Sequence, residues 1–151
     1  MAWRYLVLIA GLCMALALAA CGGSGSADDG KPTRPEIEPP DEPPQELVIE
    51  DLELGSGPEA KRGDKLTIHY EGIDMDGKTL YSSWRNGSVF IFELGRSDYG
   101  EGFEEGIEGM GVGGRRELQV PKDLAPFERP VIYVVDLLKV EKRPVTAGKG
   151  G

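Results

Sequence analysis

Glu101-Gly102-Phe103-Glu104-Glu105-Gly106-Ile107-Glu108-Gly109-Met110 is the one run, in the part of the chain patterned to fold, whose apolar residues return at helical spacing. Phe103, Ile107 and Met110 stand at i, i+4 and i+7, one stripe of a helix over 101–110. Glu104 and Glu108 fall opposite, and with Glu101 and Glu105 they read as a solvated face. Gly102, Gly106 and Gly109 each weaken a helix by about 1 kcal/mol relative to Ala, so tertiary packing must hold it.

Everything around this run is patterned for strands. Leu47–Leu54 is the first candidate. Leu66-Thr67-Ile68-His69-Tyr70 alternates, with Leu66, Ile68 and Tyr70 on one face and Thr67 and an exposed His69 on the other. Asp76-Gly77 reads as a hairpin turn before Lys78–Trp84, and Asn86-Gly87 as another before Val89–Leu94. Asp74-Met75-Asp76-Gly77 is a poor calcium loop, because Lys78 stands where a third acid is needed. Arg116–Val120 alternates behind the surface charges Arg115 and Arg116. Val131–Val140 is apolar on both faces, as a central strand is. A sheet with one short helix laid across it is an α+β domain, placed at 47–142.

The ends read differently. Residues 5–20 carry no charge and follow Arg4, which predicts a signal peptide over 1–20. The run closes in Leu18-Ala19-Ala20-Cys21, which resembles a bacterial lipobox, with Cys21 the lipidated residue. Diacylglycerol on its sulfur and an acyl chain on its amine make stable anchoring physically reasonable. An ordinary cleaved signal with a chance cysteine, or a retained membrane helix, are the other readings. Residues 21–46 hold Pro32, Pro35, Pro39, Pro40, Pro43 and Pro44 with many acids and one large apolar residue, Ile37. That composition predicts a disordered spacer, roughly 75 Å long at about 3 Å per residue. Residues 143–151 read as a disordered tail.

Across 151 residues, 17 Lys+Arg against 26 Asp+Glu leave a net charge of −9, which argues against a nucleic-acid binder, since that needs a basic face. Cys13 and Cys21 are the only cysteines and His69 the only histidine, so neither a Cys/His zinc cluster nor any other metal site is predicted.

Gly55-Ser56-Gly57, Ala60-Lys61-Arg62-Gly63-Asp64, His69-Tyr70-Glu71-Gly72, Asp76-Gly77-Lys78, Ser82-Ser83, Phe90–Gly95, Gly102–Met110, Gly113, Val120-Pro121 and Val135–Val140 occur in that order. Taken as a set they resemble an FKBP-type peptidyl-prolyl cis-trans isomerase domain over about 96 residues. The resemblance implies an antiparallel sheet of five to six strands wrapped around one short α-helix. It implies a hollow between them, roomy enough for one pyrrolidine ring. Carried over position by position, the catalytic pocket falls on Tyr70, Phe90, Phe103 and Tyr133, with Leu80, Tyr81, Tyr99, Gly100 and Phe127 as substrate-binding positions. Phe103 stands where the family most often has Trp. Tyr81 replaces a usual acid, Leu80 a usual Phe, and Tyr99 a small apolar residue. Gly100 keeps the backbone N–H, though not the side chain, of an Ile that meets the substrate carbonyl. After Val120-Pro121 a flap of about ten residues is missing, and Phe127 is the residue that would partly fill in.

Amide rotation makes and breaks no bond, so no nucleophile, metal or cofactor is needed. The barrier of about 18–20 kcal/mol comes from lost resonance, and a dry apolar pocket favours the less polar twisted amide. The expected protein is an isomerase of the bacterial envelope, lipid-anchored at Cys21 and facing periplasm or exterior. Outer-membrane sorting is favoured by Gly22 if the envelope has two membranes. Its expected partners are proline-containing exported polypeptides and the lipid bilayer, not nucleic acid, with macrolide ligands left open. The rival reading is a catalytically weak or inactive chaperone or binding module of the same fold, and a third is a purely structural lipoprotein.

Overall fold

Long apolar runs at both ends of the foldable region supply the middle of the sheet. The computed structural model describes residues 31–96 and 98–143. Within them lie strands β1 (Val48–Glu53), β2 (Lys65–Ile73), β3 (Thr79–Ser82) and β4 (Phe90–Glu93), helix α1 (Glu101–Ile107), and strands β5 (Arg115–Val120) and β6 (Val131–Glu141). Every pairing is antiparallel, and the six strands run in the order β1-β5-β6-β2-β3, with β4 also on β2. The expected α+β sheet with one α-helix is what the described residues form.

β6 is central, as its two-sided apolarity predicts: it is buried from Val131 to Leu137, with β5 on one side and β2 on the other. β2 is served on its other edge by two short strands. Its first half pairs β4, from Lys65↔Glu93 to Ile68↔Phe90, and its second half pairs β3, from Glu71↔Ser82 to Ile73↔Thr79. This division matters for the site, because it brings Phe90 and Tyr81 to the two sides of Tyr70. The β2–β3 hairpin turn forms as expected, with Asp74 Oδ1 accepting from the N–H of Asp76 (3.1 Å) and of Lys78 (2.9 Å).

α1 is shorter than its apolar stripe. It ends at Ile107, and Gly109 at φ +78° turns the chain so that Met110 still reaches the core. Its glycines are contact points: a Cβ on Gly106 would lie 2.5 Å from Leu118 Cδ2, and one on Gly102 would lie 2.6 Å from Val120 Cγ1. The helix therefore lies against β5 as closely as backbone allows. Glu104, expected in solvent, is buried, because a helix this short and this closely packed has little free face.

Other expectations of exposure also fail on the outer face of the sheet. His69 is buried: its ring stacks on Trp84 at 4.0 Å, and its Nδ1 lies 2.9 Å from Ser83 Oγ. Arg115 and Arg116 are structural. Arg115 grips Asp136 with two hydrogen bonds of 2.6 and 3.0 Å. Arg116 grips Asp51 at 2.6 and 3.1 Å and donates to the carbonyls of Gly106 (2.9 Å) and Glu108 (3.3 Å). A cation from β5 thus meets the C-terminal carbonyls of α1, which has no basic residue in its own last turn.

The spacer prediction is corrected in its second half. Arg115 donates to the Thr33 carbonyl (2.6 Å), and Arg34 grips Glu71 through Nε (3.0 Å) and Nη2 (2.5 Å). Arg34, Pro35, Glu36 and Ile37 then border a shallow cavity of about 310 Å³ with Glu71, Ile73 and Thr79. A proline-rich composition predicts no core, yet Arg34 on the buried Glu71 carboxylate and Arg115 on the Thr33 carbonyl tie this segment to the sheet. The predicted signal peptide, Cys21 and the tail beyond Arg143 lie outside the described residues.

Candidate active site

Each aromatic residue of the site comes from a different element. Tyr70 stands on β2, Tyr81 on β3, Phe90 on β4, Phe103 on α1 and Tyr133 on β6, while Tyr99 lies just before α1. Alternation along β2 turns Tyr70 and Gly72 to the helix side, and Gly72 pairs with Tyr133 across the strands. A Cβ on Gly72 would lie 2.7 Å from Tyr133 Cε1, so only glycine leaves room for that ring. Glycine inside a strand marks such a close approach. The sequence offered that signal, and its meaning became clear only with the partner strand.

The rings form a basket. Phe103 and Tyr133 are fully buried with centroids 4.9 Å apart. Tyr70 stands 5.4 Å from Phe90 and 6.0 Å from Phe103, and Tyr81 is 6.1 Å from Tyr133. Leu80 packs at the margin, and Phe92 stacks behind Phe90 at 5.1 Å. The four residues expected to be catalytic are thus brought together.

The hollow expected among them is occupied. The Tyr99 ring lies 5.0 Å from Phe90, 5.3 Å from Phe103, 5.3 Å from Tyr81 and 5.5 Å from Tyr70. Its hydroxyl is 2.7 Å from the Tyr70 hydroxyl. Apolar patterning marks the walls of a pocket but does not tell which of several tyrosines fills it.

Two other expected positions behave differently. Gly100 is at φ +91°, and a Cβ there would lie 2.6 Å from the Leu124 carbonyl oxygen and 3.1 Å from Pro126 Cδ. The short β5–β6 connection runs so close that no side chain fits, which explains why the usual Ile is absent. Phe127 does not supply the missing lid: it is 78% exposed, at φ +61°.

The basket holds hydroxyls but no charge. Burial pushes the Tyr70 hydroxyl far above its ordinary pKa, and the bond to Tyr99 adds to this. Burial does the same for Tyr133 and, less strongly, for Tyr81. All three stay neutral hydrogen-bond donors at working pH. The Tyr133 hydroxyl is fully buried and meets no acceptor among the described residues. Neutral donors in an aromatic, water-poor setting suit a polar amide that becomes less polar as it twists.

Comparisons with known proteins identify the family. Residues 57–131 match the family model for FKBP-type peptidyl-prolyl cis-trans isomerase. The chain is 37% identical over 120 residues to an FK506-binding protein of Streptomyces anulatus, covering 71% of this chain and 97% of that one. It is 38% identical over 116 residues to a probable FK506-binding protein of Corynebacterium glutamicum, covering 70% and 97%. Among solved structures it resembles FkpA from Escherichia coli, with a TM-score of 0.60 and 29% identity over 65% of this chain and 49% of that one. The chain belongs to the FKBP-type peptidyl-prolyl cis-trans isomerases. It is an enzyme that exchanges the two forms of an X-Pro bond, and the basket is the feature of its fold that fits that chemistry.

Proposed function

We propose that this isomerase works at the bacterial cell envelope, held to a lipid bilayer through acyl chains on Cys21 and acting on proline-containing exported polypeptides. The apolar run before Leu18-Ala19-Ala20-Cys21 supports the anchor. Metabolic labelling with a fatty acid is expected to mark the wild type and not Cys21→Ser. Equal labelling of the two, or none of the wild type, would rule out lipid anchoring there.

At the site, Phe103 forms the floor for the pyrrolidine ring, with Phe90, Tyr70 and Tyr133 as walls. The observation that carries this assignment is the Tyr133 hydroxyl, buried in the basket without an acceptor. An orphaned donor of this kind costs about 1–3 kcal/mol, so it is a natural partner for a group that arrives with substrate. A prolyl peptide carbonyl is such a group. Removing the hydroxyl in Tyr133→Phe is expected to lower kcat/KM for an X-Pro peptide about tenfold, one hydrogen bond's worth. An unchanged kcat/KM would take the hydroxyl out of the reaction.

A further inference from the structure

We propose that Tyr99 is a built-in occupant of the proline seat, and that its departure sets the enzyme's affinity for X-Pro segments. The inference rests on reading the aromatic basket as that seat. Three observations carry it. Tyr99 touches four ring neighbours at 5.0–5.5 Å, drawn from β2, β3, β4 and α1, so it sits within the basket rather than along one wall. Its hydroxyl engages the Tyr70 hydroxyl at 2.7 Å, which takes up a polar group otherwise free to meet a substrate carbonyl. Finally, its setting differs from that of the walls. Phe103, Tyr133 and Tyr70 lie on helix or strand and are 0%, 0% and 5% exposed, whereas Tyr99 belongs to no helix or strand and is only half-buried.

Tyr99 can therefore leave, on this proposal, without displacing a helix or strand of the core. A Cβ on Gly100 would already lie 2.6 Å from the Leu124 carbonyl oxygen, which leaves the start of α1 little room to shift, so the proposed motion belongs to the Tyr99 side chain turning about its own bonds. A proline ring and a tyrosine ring compete for one place. The observed affinity is then the intrinsic affinity reduced by the fraction of molecules with Tyr99 out. If that fraction is about one in ten, the enzyme binds about tenfold more weakly than its empty basket would.

The test uses the full-length chain in detergent solution and an Ala-Leu-Pro-Phe peptide. Peptide affinity is measured by calorimetry and cis–trans exchange by NMR, for wild type, Tyr99→Val, Tyr99→Phe and Phe103→Leu. Tyr99→Val is expected to bind about tenfold more tightly, with the gain in kcat/KM appearing in KM. Tyr99→Phe keeps the ring, loses only the hydroxyl bond and is expected to fall between. Should Tyr99→Val misfold, Tyr99→Phe still decides. Weaker or unchanged binding in the folded Tyr99 variants overturns the inference, since Tyr99 would then be a wall that substrate needs. Unchanged binding and exchange in Phe103→Leu would instead show that the basket is not the proline seat. That outcome removes the underlying reading and the inference with it, and is told apart by the residue that reports it.

Discussion

Tyr133 shows how one side chain can serve stability and activity in opposite senses. Its ring fills the space that Gly72 leaves open, and its hydroxyl meets no acceptor among the described residues. Tyr133→Phe keeps the packing and removes the orphaned donor. The variant that lowers kcat/KM is therefore expected to be more stable than wild type, by about 1–3 kcal/mol in urea denaturation. A loss of stability would mean the hydroxyl has a partner in the native protein. At this scale the sequence was informative about walls and did not tell which side chain fills the space between them. Tyr70, Phe90, Phe103 and Tyr133 come together as the motif order implies. That Tyr99 takes the middle, and that His69 stacks under Trp84, depends on contacts across elements that no local pattern encodes.

Among the elements, α1 is the clearest case of tertiary packing overriding propensity. Read as a string, Gly102, Gly106 and Gly109 are defects in a helix over 101–110. In the fold, Gly102 and Gly106 are where α1 approaches β5, and Arg116 of β5 holds the helix's final carbonyls. Gly106→Ala should gain about 1 kcal/mol from helix propensity, yet its new Cβ would press on Leu118 Cδ2. Overpacking costs about 1–3 kcal/mol, so a net destabilisation of about 1 kcal/mol is expected by chemical denaturation. A more stable Gly106→Ala would show that the helix and β5 can part without loss. Strand positions were legible because alternation and turn residues are local signals. The division of β2 between β3 and β4 was not, since it depends on which edge each short strand finds.

For the molecule as a whole, the charged groups of the outer face join the N-terminal segment to the sheet. Burial alone would raise the Glu71 carboxyl, but the hydrogen bonds from Arg34, Ser82 and Thr79 and the charge of Arg34 hold it below the ordinary carboxylate range. A carboxyl with a depressed folded value stabilises the protein fully above its unfolded value, about 4.3, and loses that contribution as pH falls through the folded value. Denaturation midpoints of wild type should therefore drop steeply below about pH 4–5, where those of Glu71→Gln change less. Parallel curves for the two proteins would remove Glu71 from the acid response. Composition identified the 21–46 segment as unable to form a core. It did not reveal that Arg34 has a buried partner 37 positions away. The central claim remains that the aromatic basket between α1 and the sheet is where X-Pro bonds turn. It is tested most directly by NMR exchange on a Leu-Pro peptide with catalytic amounts of wild type and of Phe90→Ala. Wild type is expected to bring exchange from the uncatalysed tens to hundreds of seconds to below about a second, and Phe90→Ala to lose most of that acceleration; equal acceleration by the two proteins would contradict the claim.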